Sequence, residues 1–350
     1  MLTEPLLTSR KRNRSVAKRR TQTGLKHSPS TESGVVAQSA QAQGLLPSGP
    51  SIRRVADESQ MLRERVAKER AERYAAYLGW VERPTEPPAT ADRYLAGRER
   101  AKQLRILAEG DSWFEYPLPW PRGDGVVFQL QKLLGYPILN MAHHGAEVRQ
   151  ILALSERQEI ITRLSDPNVR YDAMLFSGGG NDLVGDQFCI WLKDIQPEAP
   201  PAEMLDDDAV NAALSIVETG YRELMTIRDK HSPTTIIFAH GYDFPPITGI
   251  GVCNVGPWLK PSLDFVYRES GVPTPDPNKE FIVVKALLER FSAMLKKLET
   301  QHAGRFVVVP TQGTLTADDS DWQNEIHPTS GGFVKIAQKF KAALAGVFPG

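Results

Sequence analysis

The sequence predicts an α/β protein, a doubly wound sheet of five parallel strands with helices on both faces. Three observations predict it. Short apolar runs recur at residues 104–108, 136–140, 171–177, 234–239 and 305–309, each of a length that suits a buried strand. Amphipathic patterns at 125–134, 146–164, 209–230, 280–302 and 331–347 alternate with them, which is the rhythm of strand–helix–strand units. Several runs end in turns rich in Gly, Asn and His, and open parallel sheets bind ligands outside the carboxyl ends of their strands.

Taken in order, residues 1–54 come first and differ from everything after them. They carry ten Lys/Arg against two Asp/Glu, a charge of +8, while the other 296 residues carry −8, so the formal charge of zero hides a basic tail on an acidic body. Without aromatic residues or a sustained apolar period the tail cannot repay the entropy of ordering, and it is expected to be disordered. An arm for an anionic partner such as nucleic acid or lipid is the functional alternative to a solvated tail. Residues 58–78 then read as a charged helix, Pro84 to Pro88 break it, and residues 92–102 read as a second short helix. The expected division is a basic tail at 1–54, a helical extension at 55–103 and one α/β domain at 104–350.

Two stretches interrupt the rhythm, 185–208 and 241–279, both long and rich in Pro and Gly. Loops of that length usually bind something, and they are expected to wall the site. The composition, 41% hydrophobic with no apolar stretch of bilayer-spanning length, suits a soluble globular protein. Cys189 and Cys253 are too few and too isolated for a disulfide framework or a zinc site, so free thiols and no metal or cofactor are expected. The tail has no apolar core of the Sec signal type, and either a bacterial cytoplasmic location or export by another route fits.

Four features fall at the ends of predicted strands. They are Gly110-Asp111-Ser112, the His143-His144-Gly145 segment, Gly179-Gly180-Asn181-Asp182, and Asn324-Glu325-Ile326-His327 just before the last helix. Acyl transfer needs a nucleophile, a base within reach of it, and donors aimed at the oxyanion. Ser112 is the candidate nucleophile and His327 the candidate base. The backbone N–H groups of Ser112 and Gly145 with the side-chain amide of Asn181 are the candidate oxyanion hole.

With these blocks in this order the chain resembles the SGNH hydrolase superfamily, also called GDSL esterases and lipases, over about 245 residues from Leu104 onward. The resemblance implies a flavodoxin-like three-layer α/β/α sandwich and a carboxylic ester hydrolase working through an acyl-serine, acting on a small-molecule, lipid or carbohydrate ester. It places Ser112, Gly145, Asn181 and His327 in the roles just given. One position departs from the family pattern: three residues before the histidine stands Asn324 instead of Asp. Asn324 is then the first candidate to orient His327, with Asp321 second because it brings charge, and Glu325 or a backbone carbonyl as further alternatives. Among neighbouring residues Trp113, His144 and His240 are candidate substrate contacts, and Phe114, Tyr116 and Trp120 are split between a substrate wall and core packing. The alternative function is an SGNH-fold binding module, weak or inactive as an enzyme, whose basic tail contacts an anionic partner.

Overall fold

The computed structural model of the chain describes residues 52–82, 103–119, 123–196, 199–253, 255–272 and 276–349. The tail up to residue 51, the expected helix at 92–102 and Trp120 lie outside the described residues. Two compact units divide the chain, Met1–Leu62 and Arg63–Gly350, and all the contacts below belong to the second.

In chain order the elements are α1 (Ile52–Val81), β1 (Ile106–Gly110), α2 (Val126–Leu134), β2 (Leu139–Asn140), α3 (Val148–Ile151), α4 (Leu154–Leu164), β3 (Ala173–Ser177), α5 (Gly180–Leu183), α6 (Asp207–His231), β4 (Ile236–His240), α7 (Lys260–Glu269), α8 (Pro277–Gln301), β5 (Phe306–Val309) and α9 (Ser330–Val347). The five strands form one parallel sheet in the order β2-β1-β3-β4-β5. This is the flavodoxin-like order. The order of connection reverses between β1 and β3, and the crevice above that switch is where such sheets hold ligands.

Every residue of β1 and β3 is buried, as a sheet covered on both faces requires. One helical layer pairs α2 with α9, and α3, α4, α6 and α8 pack among themselves as the other. The helices start where the sequence supplies caps. Asp206 accepts from the N–H of Ala209 at α6, Asp276 precedes Pro277 at α8, and Thr329 accepts from Gly332 at α9. Their inward stripes follow helical spacing: Val284, Leu287, Leu288, Phe291 and Leu295 on α8, and Phe333, Ile336, Ala337, Phe340 and Leu344 on α9.

Two elements differ from expectation. The pattern at 146–164 is two helices, because Ala153 is extended (ψ 165°) and resets the axis before α4. The stretch 241–279 contains α7, which its Pro261 concealed: proline in the first helical turn gives up only an N–H that has no partner there. No helix among the described residues is long and apolar enough to cross a membrane.

The helix α1 packs through its arginines. Arg70 Nε donates to the carbonyl of Met141 at 2.8 Å and its guanidinium lies 3.4 Å from Glu109. Arg73 donates to Asn140 O at the end of edge strand β2 at 3.2 Å, to Ala142 O just beyond it at 3.5 Å and to Glu115 at 3.2 Å.

Candidate active site

The site begins at Gly110. A Cβ there would stand 2.3 Å from Ser177 O on β3, so only glycine lets the two strands stay paired up to the turn. Asp111 then turns the chain. Its buried carboxylate accepts from the N–H of Trp113 at 3.0 Å, and Ser112 is left at the head of the turn, 7% exposed.

His327 meets it from the segment before α9. The Nε2 of His327 lies 2.8 Å from Ser112 Oγ, and Nδ1 lies 3.0 Å from Asn324 Oδ1. The orientation of the Asn324 amide is set on both sides. Its Oδ1 also accepts from the N–H groups of Ile326 and His327, at 3.2 and 3.0 Å, and its Nδ2 donates to Tyr116 Oη at 3.1 Å. Nδ1 of His327 therefore carries the proton, and Nε2 is the bare nitrogen that accepts from Ser112. Burial, with His144 as a lesser cause, pushes the His327 pKa down to about 3, so the imidazole is neutral across the neutral range.

Asp321 does not reach His327. Its carboxylate is held by Lys335 Nζ at 2.7 Å and by Thr316 at 2.9 Å, where it braces the loop against α9, and the expectation that it orients the histidine is corrected on that ground. Glu325 does not reach it either. Its carboxylate gathers four backbone N–H groups, those of Gly249, Trp258, Leu259 and Lys260, at 2.6–3.2 Å. That clamp fixes Gly249 and residues 258–260 beside the site and stands the Trp258 ring edge-on to His327, with centroids 5.3 Å apart.

On the other side of Ser112, the turn after β3 carries Asn181. Its Nδ2 donates to Ala146 O at 3.0 Å, which leaves the second amide hydrogen free of that bond and ties the turn to the segment bearing Gly145. Gly145 sits at φ 78°, a conformation that favours glycine. Ser112 and Asn181 line one cavity of about 510 Å³ of empty space, its open mouth included. The rest of its lining is mostly apolar, with Val184, Leu259, Val284, Leu287, Leu288 and Ile326, and it includes Asp111, Tyr242 and Asp243.

Of the candidate substrate contacts, Trp113 lines this cavity, with its indole N–H donated to Ile326 O at 3.0 Å. His144 is partly exposed, and its Nδ1 lies 3.2 Å from Glu115 Oε2. His240 is corrected: it is fully buried behind the cavity, with Nε2 at 2.9 Å from Ser177 Oγ, because the last side chain of β4 points into the helical packing rather than over the sheet edge. Phe114 is core, and Tyr116 is the support of Asn324. The partners of Tyr116, Tyr242 and Glu325 had no signal in the sequence, since they are backbone groups or residues far along the chain.

No protein-family model matches the sequence, and no curated relative matches it. Among solved structures the chain is similar to the lipase Lip_vut3 from a goat rumen metagenome, at 18% identity over 69% of this chain and 97% of that one, with a TM-score of 0.45. It is similar to an extracellular lipase from Streptomyces rimosus at 15% identity, 69% and 100% coverage and a TM-score of 0.44. A third is a member of the lipolytic protein G-D-S-L family from Veillonella parvula, at 16% identity, 69% and 99% coverage and a TM-score of 0.40. In fold the chain is similar to proteins described as lipases, members of the lipolytic G-D-S-L family, a putative SGNH hydrolase and a family 3 carbohydrate esterase.

Proposed function

We propose that the protein is a serine hydrolase of carboxylic esters belonging to the SGNH hydrolase superfamily, and that it works through an acyl-Ser112 intermediate. The observation that carries this reading is the linear arrangement Ser112 Oγ, His327 Nε2, His327 Nδ1, Asn324 Oδ1, with steps of 2.8 and 3.0 Å, opening on a cavity that Asn181 shares. In the proposed reaction Ser112 Oγ gives its proton to His327 Nε2 and bonds to the ester carbonyl carbon. The oxyanion that forms is received by the N–H groups of Ser112 and Gly145 and by Asn181 Nδ2. The carbon–oxygen bond to the alcohol then breaks as Nε2–H protonates the leaving oxygen. Water repeats the sequence on the acyl-enzyme, giving its proton to Nε2, and releases the acid.

The apolar walls supplied by Leu259 and by Val284, Leu287 and Leu288 of α8 support an acyl group of several carbons over acetyl, since each buried methylene contributes about 0.8 kcal/mol. The test is turnover of p-nitrophenyl acetate, butyrate and octanoate by wild type and by Ser112→Ala. Wild type is expected to exceed the variant by on the order of 10³-fold or more, with kcat/KM rising from acetate to octanoate. Equal rates, together with no labelling of Ser112 by a serine-reactive phosphonate, overturn the enzyme reading in favour of a binding module. A fall from acetate to octanoate overturns the acyl preference alone.

A further inference from the structure

Beneath the cavity one hydroxyl joins the two turns that the reaction needs. Tyr242, two residues beyond β4, donates its phenolic proton to Asp111 Oδ2 at 2.5 Å and accepts from the N–H of Gly180 at 2.9 Å. Asp111 holds the Ser112 turn through the N–H of Trp113, and Gly180 is the residue before Asn181. The tyrosine is itself held from several sides. Its N–H points to His240 Nδ1 at 3.3 Å, its carbonyl accepts from Thr311 Oγ1 at 2.7 Å, and its ring packs against Trp113 and Phe291 with centroids 5.2 and 5.7 Å away.

Two further observations say that the chain is built around this contact. Tyr242 has φ 58°, a left-handed conformation that costs a bulky side chain of order 1–3 kcal/mol and persists only where the surroundings enforce it. A Cβ at position 180 would come within 2.9 Å of the Tyr242 ring, so the middle of the Gly179-Gly180-Asn181 turn is small because the tyrosine occupies the space a side chain would need.

We infer that Tyr242 is a positioning residue, whose hydroxyl sets the Ser112 turn and the Asn181 turn at the separation that lets nucleophile and oxyanion donor act on one carbonyl. This rests on the acyl-transfer reading above. The hydroxyl takes no part in bond making; it acts through Asn181. A role of that kind appears in the transition state, where the oxyanion needs its donor, and hardly at all in ground-state binding.

The test is a double-mutant cycle on p-nitrophenyl butyrate with Tyr242→Phe, Asn181→Ala and both together. Asn181→Ala is expected to lower kcat by on the order of 10²–10³-fold, and Tyr242→Phe, which keeps the ring, to lower it roughly tenfold with KM within about twofold. In the Asn181→Ala background the tyrosine effect should shrink to less than about twofold, because the donor it positions is gone. Ser177→Ala is the control. It removes the other hydroxyl from Asp111, at 2.7 Å, without touching Gly180, and its effect should be the same in both backgrounds. If Tyr242→Phe does not fold, 3-fluorotyrosine at 242 replaces it: the change in kcat, in either direction, should again vanish without Asn181.

A tyrosine effect that persists in full in the Asn181→Ala background, one carried by KM, or none at all overturns the inference while leaving the hydrolase reading intact. An Asn181→Ala variant as fast as wild type overturns the oxyanion assignment beneath it.

Discussion

Two serine–histidine pairs stand at the same edge of the sheet, Ser112 with His327 at 2.8 Å and Ser177 with His240 at 2.9 Å. Both imidazoles are buried, and burial depresses both to about 3. What separates them is the partner of the second ring nitrogen. At His327 that partner is an acceptor, Asn324 Oδ1, so the proton sits on Nδ1 and Nε2 receives from serine. At His240 it is a donor, the N–H of Tyr242, so the proton sits on Nε2 and is given to Ser177, whose hydroxyl passes its own to Asp111. The first arrangement suits the proposed nucleophile and base, the second a strut. Distance alone does not distinguish them; the tautomer does.

The largest effect that tests this contrast is on rate. Replacing each histidine by glutamine should divide them sharply: His327→Gln is expected to cost roughly 10²–10⁴ in kcat, and His240→Gln no more than about tenfold, the scale of one ordinary hydrogen bond. Ester turnover by the two variants, with folded content checked by near-UV circular dichroism, makes the measurement. Comparable losses in two folded variants would break the comparison.

The next effect is on stability. A histidine held neutral at about 3 in the folded protein takes up a proton below about 6.5 when unfolded, so its contribution to stability is present above 6.5 and is lost as pH falls below that value. Between pH 7 and pH 5 wild type should lose about 2 kcal/mol through His240 that a glutamine variant does not lose. Urea unfolding of wild type and His240→Gln at the two pH values reads this directly, because other titrating groups cancel in the difference. The penalty of the substitution should be about 2 kcal/mol smaller at pH 5. An equal penalty at both values would mean that His240 is not the neutral, Nε2-protonated group on which the contrast rests.

The same pair explains how far the site was readable from the chain. The five strands and the turns that end them follow from local signals, apolar period and turn residues, which act within a few positions; that Ser112 and the segment at 324–327, with 215 positions between Ser112 and His327, would meet was expected from their place at one sheet edge and from the family resemblance. His240 was misjudged because those signals place a residue at a strand end but not the direction of its side chain. Asp321, the second candidate after Asn324, is held elsewhere because its partner, Lys335, lies a helix turn into α9 and has no mark as a partner in sequence. Glu325 and Asp243 each gather four backbone N–H groups, and a backbone donor carries no sequence signature at all. Tyr116 and Asn324, 208 positions apart, meet only once the sheet is wound.

The smallest effect concerns Asn324 itself and sharpens the contrast most. The amide holds Nδ1 of His327, but in the proposed reaction it leaves the imidazolium of the transition state without a countercharge, and it is 3% exposed, so water does not supply one. In Asn324→Asp a carboxylate would take the place of Oδ1, and the Tyr116 hydroxyl, which now accepts from the amide, would turn to donate. The new charge favours the protonated imidazole and so raises the His327 pKa from about 3. Two consequences follow with fixed signs. The rate at pH 7 should rise by about tenfold, the desolvation of the new carboxylate offsetting most of its attraction. The acid limb of kcat/KM should also move to higher pH, because the base is lost to protonation sooner. In wild type no limb from His327 is expected between pH 5 and 8. A pH–rate profile of both proteins on p-nitrophenyl butyrate decides it: a slower, folded Asn324→Asp variant whose acid limb does not move would mean that His327 is not the group that takes the serine proton.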